Sequence, residues 1–299
     1  MAREYPETMQ EFAEWFSTEA RCREYLASVR WGASFAYPRC GNMAAWDIRR
    51  NALKCARCHR EISVTAGTVF HGAHIRLRLW FQALWCVVSQ KQGVSALGLA
   101  RALGITRYET AWKLLKKIRG AMVRPHRERL NGLVEVDEVF LGGVRPRIGG
   151  RSPLQKVLVL IAAEDTGRGI GRIRIQVITD ASLASLDGAM RKMVEPGSTV
   201  RTDGWRGYQG VARNGYRHVT IKREPSNPGY DPTPLVHRIA SLLKRWLLGT
   251  HQGGVQHAHI QLYLDEFVFR FNRRTSRSRG KLFYRLIQHM TYDSNTKVG

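Results

Sequence analysis

Leu133-Val-Glu-Val-Asp-Glu-Val-Phe140 is the stretch that decides the fold. Its β-branched residues alternate with acids at the two-residue period of a strand. A carboxylate at Asp137, set among Val134, Val136, Val139 and Phe140, needs a partner, because apolar surroundings penalise an isolated charge.

Working outward, Lys156 to Ala163 is a continuous apolar run suited to a strand buried on both faces. Gly171 to Ile178 alternates Ile and Val with Arg and Gln, a third strand. Gly142-Gly143 and Asp165-Thr-Gly167 separate these three as the turns of an antiparallel meander. Ala181 to Val194 reads as a helix stopped by Pro196-Gly197, and Ser198 to Thr202 as a fourth strand. Trp205 to Arg213 reads as a short helix and Tyr216 to Lys222 as a fifth strand. A loop rich in Pro, Gly and Asn (Glu224 to Pro234) leads to two helices, Leu235 to Leu248 and His257 to Asn272. The order β-β-β-α-β-α-β-α predicts a mixed central sheet with helices on both faces, which is the order of the ribonuclease-H-like fold.

In that order the centre of the first strand and the end of the fourth converge, carrying Asp137 and Asp203. Two carboxylates brought together repel, and a divalent cation with a preference for oxygen, Mg²⁺ or Mn²⁺, relieves the repulsion. Such ions serve phosphoryl transfer by activating a water or 3′-hydroxyl and stabilising the leaving oxygen. Asp203 has a second reading as the cap of the Trp205 helix. A third ligand is expected from the helix after the fifth strand, which His237 opens. Lys244 lies two turns further on the same face, placed to hold a substrate phosphate. Glu135 shares the strand face of Asp137, and pairing with an arginine is the reading preferred for it.

Charge narrows the partner. Lys and Arg total 48 against 24 Asp and Glu, a formal net charge of +24. A polyanion relieves that self-repulsion, and nucleic acid adds counterion release. A ribosome-associated protein and a membrane-surface binder are the blander readings of the same charge. The stretch from Met1 to Glu14 has no apolar core, and Leu79 to Val88 is too short for a membrane span, so the expected location is cytoplasmic, on the nucleoid. In a reducing compartment the clustering of Cys40, Cys55 and Cys58 favours metal over disulfide.

Between these regions Ile75 to Gln90 is an apolar-rich helix. Val94 to Gly104, the turn Ile105-Thr106 and a helix from Arg107 to Arg119 have the pattern of a helix-turn-helix. Its second helix offers Arg107, Tyr108 and Thr110 to a DNA groove, with Trp112, Leu115 and Ile118 facing inward. An ordinary helical hairpin has the same pattern.

Three stretches carry a family resemblance: Val134-Glu-Val-Asp-Glu-Val-Phe-Leu-Gly-Gly143, Thr202-Asp-Gly-Trp-Arg-Gly-Tyr208 and Tyr263-Leu-Asp-Glu-Phe-Val-Phe-Arg-Phe-Asn-Arg-Arg274. Together they resemble the Merlin-related insertion-sequence transposases, from about Trp31 to Ile287. The resemblance implies a DDE-type catalytic domain behind a zinc ribbon and a helical DNA-binding segment, with Asp137 and Asp203 as the first two catalytic acids. Where the family pattern sets a Glu seven residues before a Lys or Arg, this chain has His237 and Lys244. It further implies double-stranded DNA as partner, at the element ends and the target, and a dimer or higher multimer that pairs two ends.

A zinc ribbon uses two Cys-x-x-Cys knuckles around Zn²⁺. Cys55-Ala-Arg-Cys58 is intact, whereas the first knuckle reads Tyr37-Pro-Arg-Cys40, with Tyr in place of Cys. His59 and Cys22 stand as alternative fourth ligands, and a ribbon without zinc is the other reading. Arg270, Arg273 and Arg274 begin a basic run that reads as a phosphate-contact surface, with Phe269, Phe271 and Phe283 packing the last helix to the sheet. The expected domains are a ribbon segment (1–71), a helical region (72–130), the catalytic domain (131–290) and a tail (291–299). A DNA-binding regulator, a nuclease without joining activity, and a degenerate inactive copy are the competing readings.

Overall fold

A computed structural model describes residues 4–32, 35–37, 39–48, 52–124, 126–142, 156–221, 230–252 and 255–292. Gly143, residues 222–229 of the loop before Pro234, and most of the 291–299 tail lie outside them. The chain divides into two compact units, Met1–Arg124 with Ser276–Gly299, and Pro125–Thr275.

The first unit begins with α1 (Met9–Trp15) and α2 (Glu19–Trp31), each opened by a Thr whose hydroxyl accepts a first-turn N–H. An antiparallel three-stranded sheet follows: β1 (Ala45–Ile48), β2 (Ala52–Cys55) and β3 (Glu61–Ser63). Three helices come next, α3 (Leu77–Ser89), α4 (Ala96–Leu103) and α5 (Tyr108–Gly120). Ser95 caps α4, and Gly104, with φ of 65°, ends it in the left-handed conformation.

The second unit is built on β4 (Leu133–Leu141), β5 (Val157–Asp165) and β6 (Ile170–Val177), the expected meander. Then come α6 (Leu183–Met193), β7 (Thr199–Thr202), β8 (Arg217–Thr220), α7 (Pro234–His251) and α8 (Ile260–Phe271). The sheet order is β6-β5-β4-β7-β8, with β4 parallel to β7 and β7 parallel to β8. Strand alternation splits the core into two layers. Val134, Val136, Leu160 and Val200 pack with Leu186, Met190 and Met193 of α6 on one face. Val159, Ile161 and Ile175 pack with Ile239, Leu243 and Leu264 of α7 and α8 on the other. The expected helix from Trp205 to Arg213 is instead two 3-10 turns, Arg206–Tyr208 and Val211–Asn214. Glycines at 204, 207 and 210 leave too short a run for an α-helix.

The last helix, α9 (Arg279–Thr291), falls in the first unit and not with the sheet, unlike the expected span of 131–290. Its Phe283 is buried among Phe12, Phe16, Phe81 and Trp85, with ring centroids 5.5–5.9 Å away. An amphipathic pattern marks which face of a helix is buried, and leaves open what it is buried against. The backbone of α9 also passes so near the N-terminal segment that a Cβ on Gly280 would clash with the Pro6 carbonyl oxygen. Gly280→Ala is therefore expected to destabilise the first unit by about 1–3 kcal/mol, the usual range for overpacking. A parent-like urea midpoint for this variant counts against that close approach.

Candidate active site

β4 and β7 run parallel with Glu135 opposite Arg201, so two residues further along each chain Asp137 and Asp203 stand at the same level. The charge of Asp203 is felt at both Asp137 and Glu138. Asp203 lies just past the end of β7, and its Oδ1 also accepts the Trp205 N–H at 2.9 Å. It thus caps the turn, as one sequence reading expected, while facing the acids of β4.

Asp137 is only 7% exposed. Burial pushes its carboxyl up to about 6; the Thr233 hydroxyl opposes this, Glu138 and Asp203 add to it, and His237 lowers it. Its Oδ2 accepts from Thr233 Oγ1 at 2.5 Å, and its Oδ1 accepts the Glu138 N–H at 2.8 Å. From the second turn of α7, His237 brings Nε2 to 3.4 Å from Asp137 Oδ2, with its ring 40% exposed. Lys244 lies on the exposed side of α7.

Two features escaped the sequence reading, and a third was expected without its partner's identity. Glu138 faces the opposite side of β4 and accepts the Tyr208 hydroxyl at 2.5 Å. Burial raises both groups, strongly for Tyr208, and Asp203 raises both further. The signal lay in the Asp-Gly-Trp-Arg-Gly-Tyr stretch. Gly207 has no room for a Cβ, which would meet the Ala181 carbonyl and Leu186 at 2.6 Å, and this close packing seats Tyr208 beside β4. The second feature is Asp231, whose Oδ2 lies 2.7 Å from His237 Nδ1. The third is the site's floor. Glu135, fully buried, pairs with Arg201 at 2.6 Å and accepts the Val236 N–H, while Arg201 also meets Asp165 at 3.0 Å. The arginine preferred for Glu135 is therefore Arg201, and its guanidinium braces β4, β5 and β7 beneath the acids.

In the ribbon, Cys40, Cys55 and Cys58 form, among the described residues, the one group of three or more His, Cys, Asp or Glu side chains with all donor atoms within 4.8 Å of one another. Burial raises the Cys55 thiol, but the N–H groups of Cys58 and Arg57 and the Asn42 amide outweigh it, leaving it lowered to about 6. Such softness and ready thiolate formation suit zinc. His59 instead stacks on Trp46, and Cys22 is buried in α2, so neither joins the group. Tyr37 is 1% exposed, and its hydroxyl has no hydrogen-bond partner among the described residues.

Comparison with known families bears on both regions. Residues 129–272 match the ISXO2-like transposase domain, and residues 17–61 match the transposase zinc-ribbon domain. The chain carries a transposase domain behind a transposase zinc ribbon. It is 25% identical over 290 residues to a protein of Halobacterium salinarum described as an uncharacterized protein in transposable element ISH50, covering 89% of this chain and 94% of the relative. Among solved structures it is similar to the catalytic core domain of BIV integrase, at 15% identity and a TM-score of 0.32, covering 46% of this chain and 81% of that one. Its transposase domain is the mixed five-stranded sheet of order β6-β5-β4-β7-β8 with helices on both faces, and a regulator or a nuclease without joining is not favoured. No helix among its described residues is long and apolar enough to cross a membrane.

The transposase's other expected DNA contacts fall in two groups. Arg107 and Tyr108 are exposed at the start of α5 and Thr110 is half-buried, while Leu115 and Ile118 point inward. Trp112 is half-buried beneath Lys116, and Ala111 and Leu114 complete the inward face. The three arginines read as phosphate contacts are engaged within the second unit. Arg270 pairs with buried Glu266 at 2.8 Å, and Arg273 covers the Phe269 ring. Arg274 covers the Phe271 ring and donates to the Ile170 and Gly171 carbonyls. Phe269 and Phe271, in turn, belong to the second unit, whereas Phe283 belongs to the first.

Proposed function

We propose that this transposase cuts and joins DNA strands at the ends of its element by divalent-metal phosphoryl transfer, with Asp137, Asp203 and His237 as ligands of Mg²⁺ or Mn²⁺. The observation that carries this is that Asp137 and Asp203 each follow by two residues the Glu135–Arg201 pair of parallel β4 and β7, with the His237 ring turned toward Asp137. The donor set fits. Oxygen ligands suit hard cations, an imidazole is acceptable to Mn²⁺, and mutual carboxylate repulsion with a carboxyl raised to about 6 is what a bound cation relieves. A metal in this place supplies Lewis acidity to the attacking and leaving oxygens of the phosphodiester.

The chain's own groups do the rest. Thr233 and the Glu138 N–H fix the Asp137 carboxylate, Arg201 neutralises Glu135 below it, and Lys244 holds a phosphate of the substrate as a point charge. Arg107, Tyr108 and Thr110 contact a groove of the element end, with structural Zn²⁺ on Cys40, Cys55 and Cys58 holding the ribbon. Of the basic run, Arg270, Arg273 and Arg274 serve packing first. Residues 1–71 act as ribbon, 72–130 as reader and 131–275, within the second unit, as the catalytic region, and two or more copies pair the ends, on the nucleoid in the cytoplasm.

The test is cleavage of duplex DNA carrying the terminal repeats that flank the gene, with Mg²⁺ or Mn²⁺ and with EDTA. Metal-dependent nicking at the repeat boundary is expected. Lys244→Ala is expected to weaken end binding and reduce cleavage about tenfold, with Lys244→Arg restoring part of it. His237→Glu probes the third position: a large gain marks His237 as a weak ligand in a copy losing activity. Cleavage that persists in EDTA removes the metal reading.

A further inference from the structure

The N-terminus of α7 departs from ordinary capping. A Thr at this position normally turns its hydroxyl to accept an N–H of the first turn. Thr233 makes no such bond, although it is fully buried; its hydroxyl donates to Asp137 Oδ2 at 2.5 Å. The Thr233 N–H goes to Asp231 Oδ1 at 3.0 Å, and Asp231 Oδ2 meets His237 Nδ1 at 2.7 Å. His237 Nε2 then returns to Asp137 Oδ2 at 3.4 Å. The four residues close a ring, Asp137–Thr233–Asp231–His237, in which a capping bond is given up to tie the helix start to a strand acid.

We propose that Asp231 is a positioning residue of this active site, acting through His237, with Thr233 as its companion on Asp137. The proposal rests on the reading of Asp137 and His237 as metal ligands. An ionised carboxylate only accepts hydrogen bonds, so Asp231 holds the His237 proton on Nδ1. The Nε2 lone pair is then turned toward Asp137 Oδ2. Two acceptors facing each other at 3.4 Å repel unless a positive centre joins them, and a carboxylate behind the imidazole orients it as a ligand. Asp231 thereby fixes the tautomer and the ring orientation, which His237 alone, on a half-exposed ring, does not.

The full chain carries the test, read by Mn²⁺ binding (electron paramagnetic resonance of free Mn²⁺) and by the ring-nitrogen NMR signals of His237 without metal. Asp231→Ala is expected to weaken Mn²⁺ binding about 10- to 100-fold, the usual effect of removing a ligand's outer partner, and to move the proton toward Nε2. Asp231→Asn has one oxygen for two donors; with that oxygen kept by the Thr233 N–H, its amide donates to Nδ1, so the proton is expected on Nε2 and Mn²⁺ binding weakened as in Asp231→Ala. Asp231→Ala combined with His237→Ala should be no weaker than His237→Ala alone. Parent-like Mn²⁺ affinity in Asp231→Ala, where His237→Ala is weakened, overturns the positioning role, as does full additivity in the double variant. If neither Asp137→Asn nor His237→Ala changes Mn²⁺ binding, the metal-ligand reading itself is wrong and the role of Asp231 goes with it.

Discussion

Asp137→Asn is expected to abolish strand cleavage and, at the same time, to make the metal-free chain more stable at alkaline pH. The two effects share one cause. In the folded chain burial, Glu138 and Asp203 raise the Asp137 carboxyl from 3.8 to about 6, against the opposing pull of Thr233 and His237. A carboxyl raised on folding contributes stability that is fully present below its unfolded value and is lost as pH rises through its folded value. Between about pH 4 and pH 6 the parent chain therefore loses about 3 kcal/mol, taking 1.4 kcal/mol for each tenfold change in proton affinity. Asparagine does not ionise and escapes that loss. In EDTA at pH 8 Asp137→Asn should unfold at higher denaturant than the parent, and the gap should close near pH 4. Cleavage should fall on the order of 10³-fold or more, because several kcal/mol of charge stabilisation at the phosphodiester depend on the ligand. Asp203→Asn should lose cleavage similarly, with end binding intact in both. A variant that cuts like the parent sinks the catalytic assignment; one less stable than the parent at every pH sinks the electrostatic account.

Arg201→Ala is expected to be among the most destabilising single changes in the sheet. Glu135 has no exposed surface, and Arg201, itself 18% exposed, is its ion-pair partner at 2.6 Å. Removing one member of such a pair strands a buried charge, at about 3–5 kcal/mol. Val236, whose N–H donates to the same carboxylate, links the loss to the start of α7, so cleavage should fall together with stability. Replacing both partners with apolar residues, Glu135→Leu with Arg201→Met, should recover most of the stability, because the penalty comes from the unpaired charge. A denaturation midpoint for Arg201→Ala within about 0.5 kcal/mol of the parent means that the pair is not bracing the sheet.

Some of this was legible residue by residue. The alternation of Leu133 to Phe140, the unbroken apolar run after Lys156 and the turn at Asp165-Thr-Gly167 sufficed for the meander, because each is a local periodicity ended by local turn chemistry. Asp137 stood out because it is a charge inside an apolar alternation, and the sheet order brings Asp203 beside it. Glu138 did not stand out. An acid next to Asp137 points to the other face of the strand, and only the packing that seats Tyr208 there gives it a partner. Asp231 was hidden in a loop whose composition says only that the chain turns. Arg270, Arg273 and Arg274 looked like free positive charge, since a sequence does not show that Glu266 and the Phe269 and Phe271 rings receive them.

For Asp137 and Asp203, then, the amino-acid sequence alone determined the pair of acids, the order of elements that joins them and the nucleic-acid character of the chain. Periodicity and charge are summed along the backbone and need no partner to be read. Tertiary structure decided what each group answers to: Thr233 and His237 on Asp137, Asp231 behind His237, Arg201 under Glu135, and α9 in the unit of α1 rather than of the sheet. Those pairings depend on which surfaces meet. A helix or strand encodes the face it buries, but not the face that covers it.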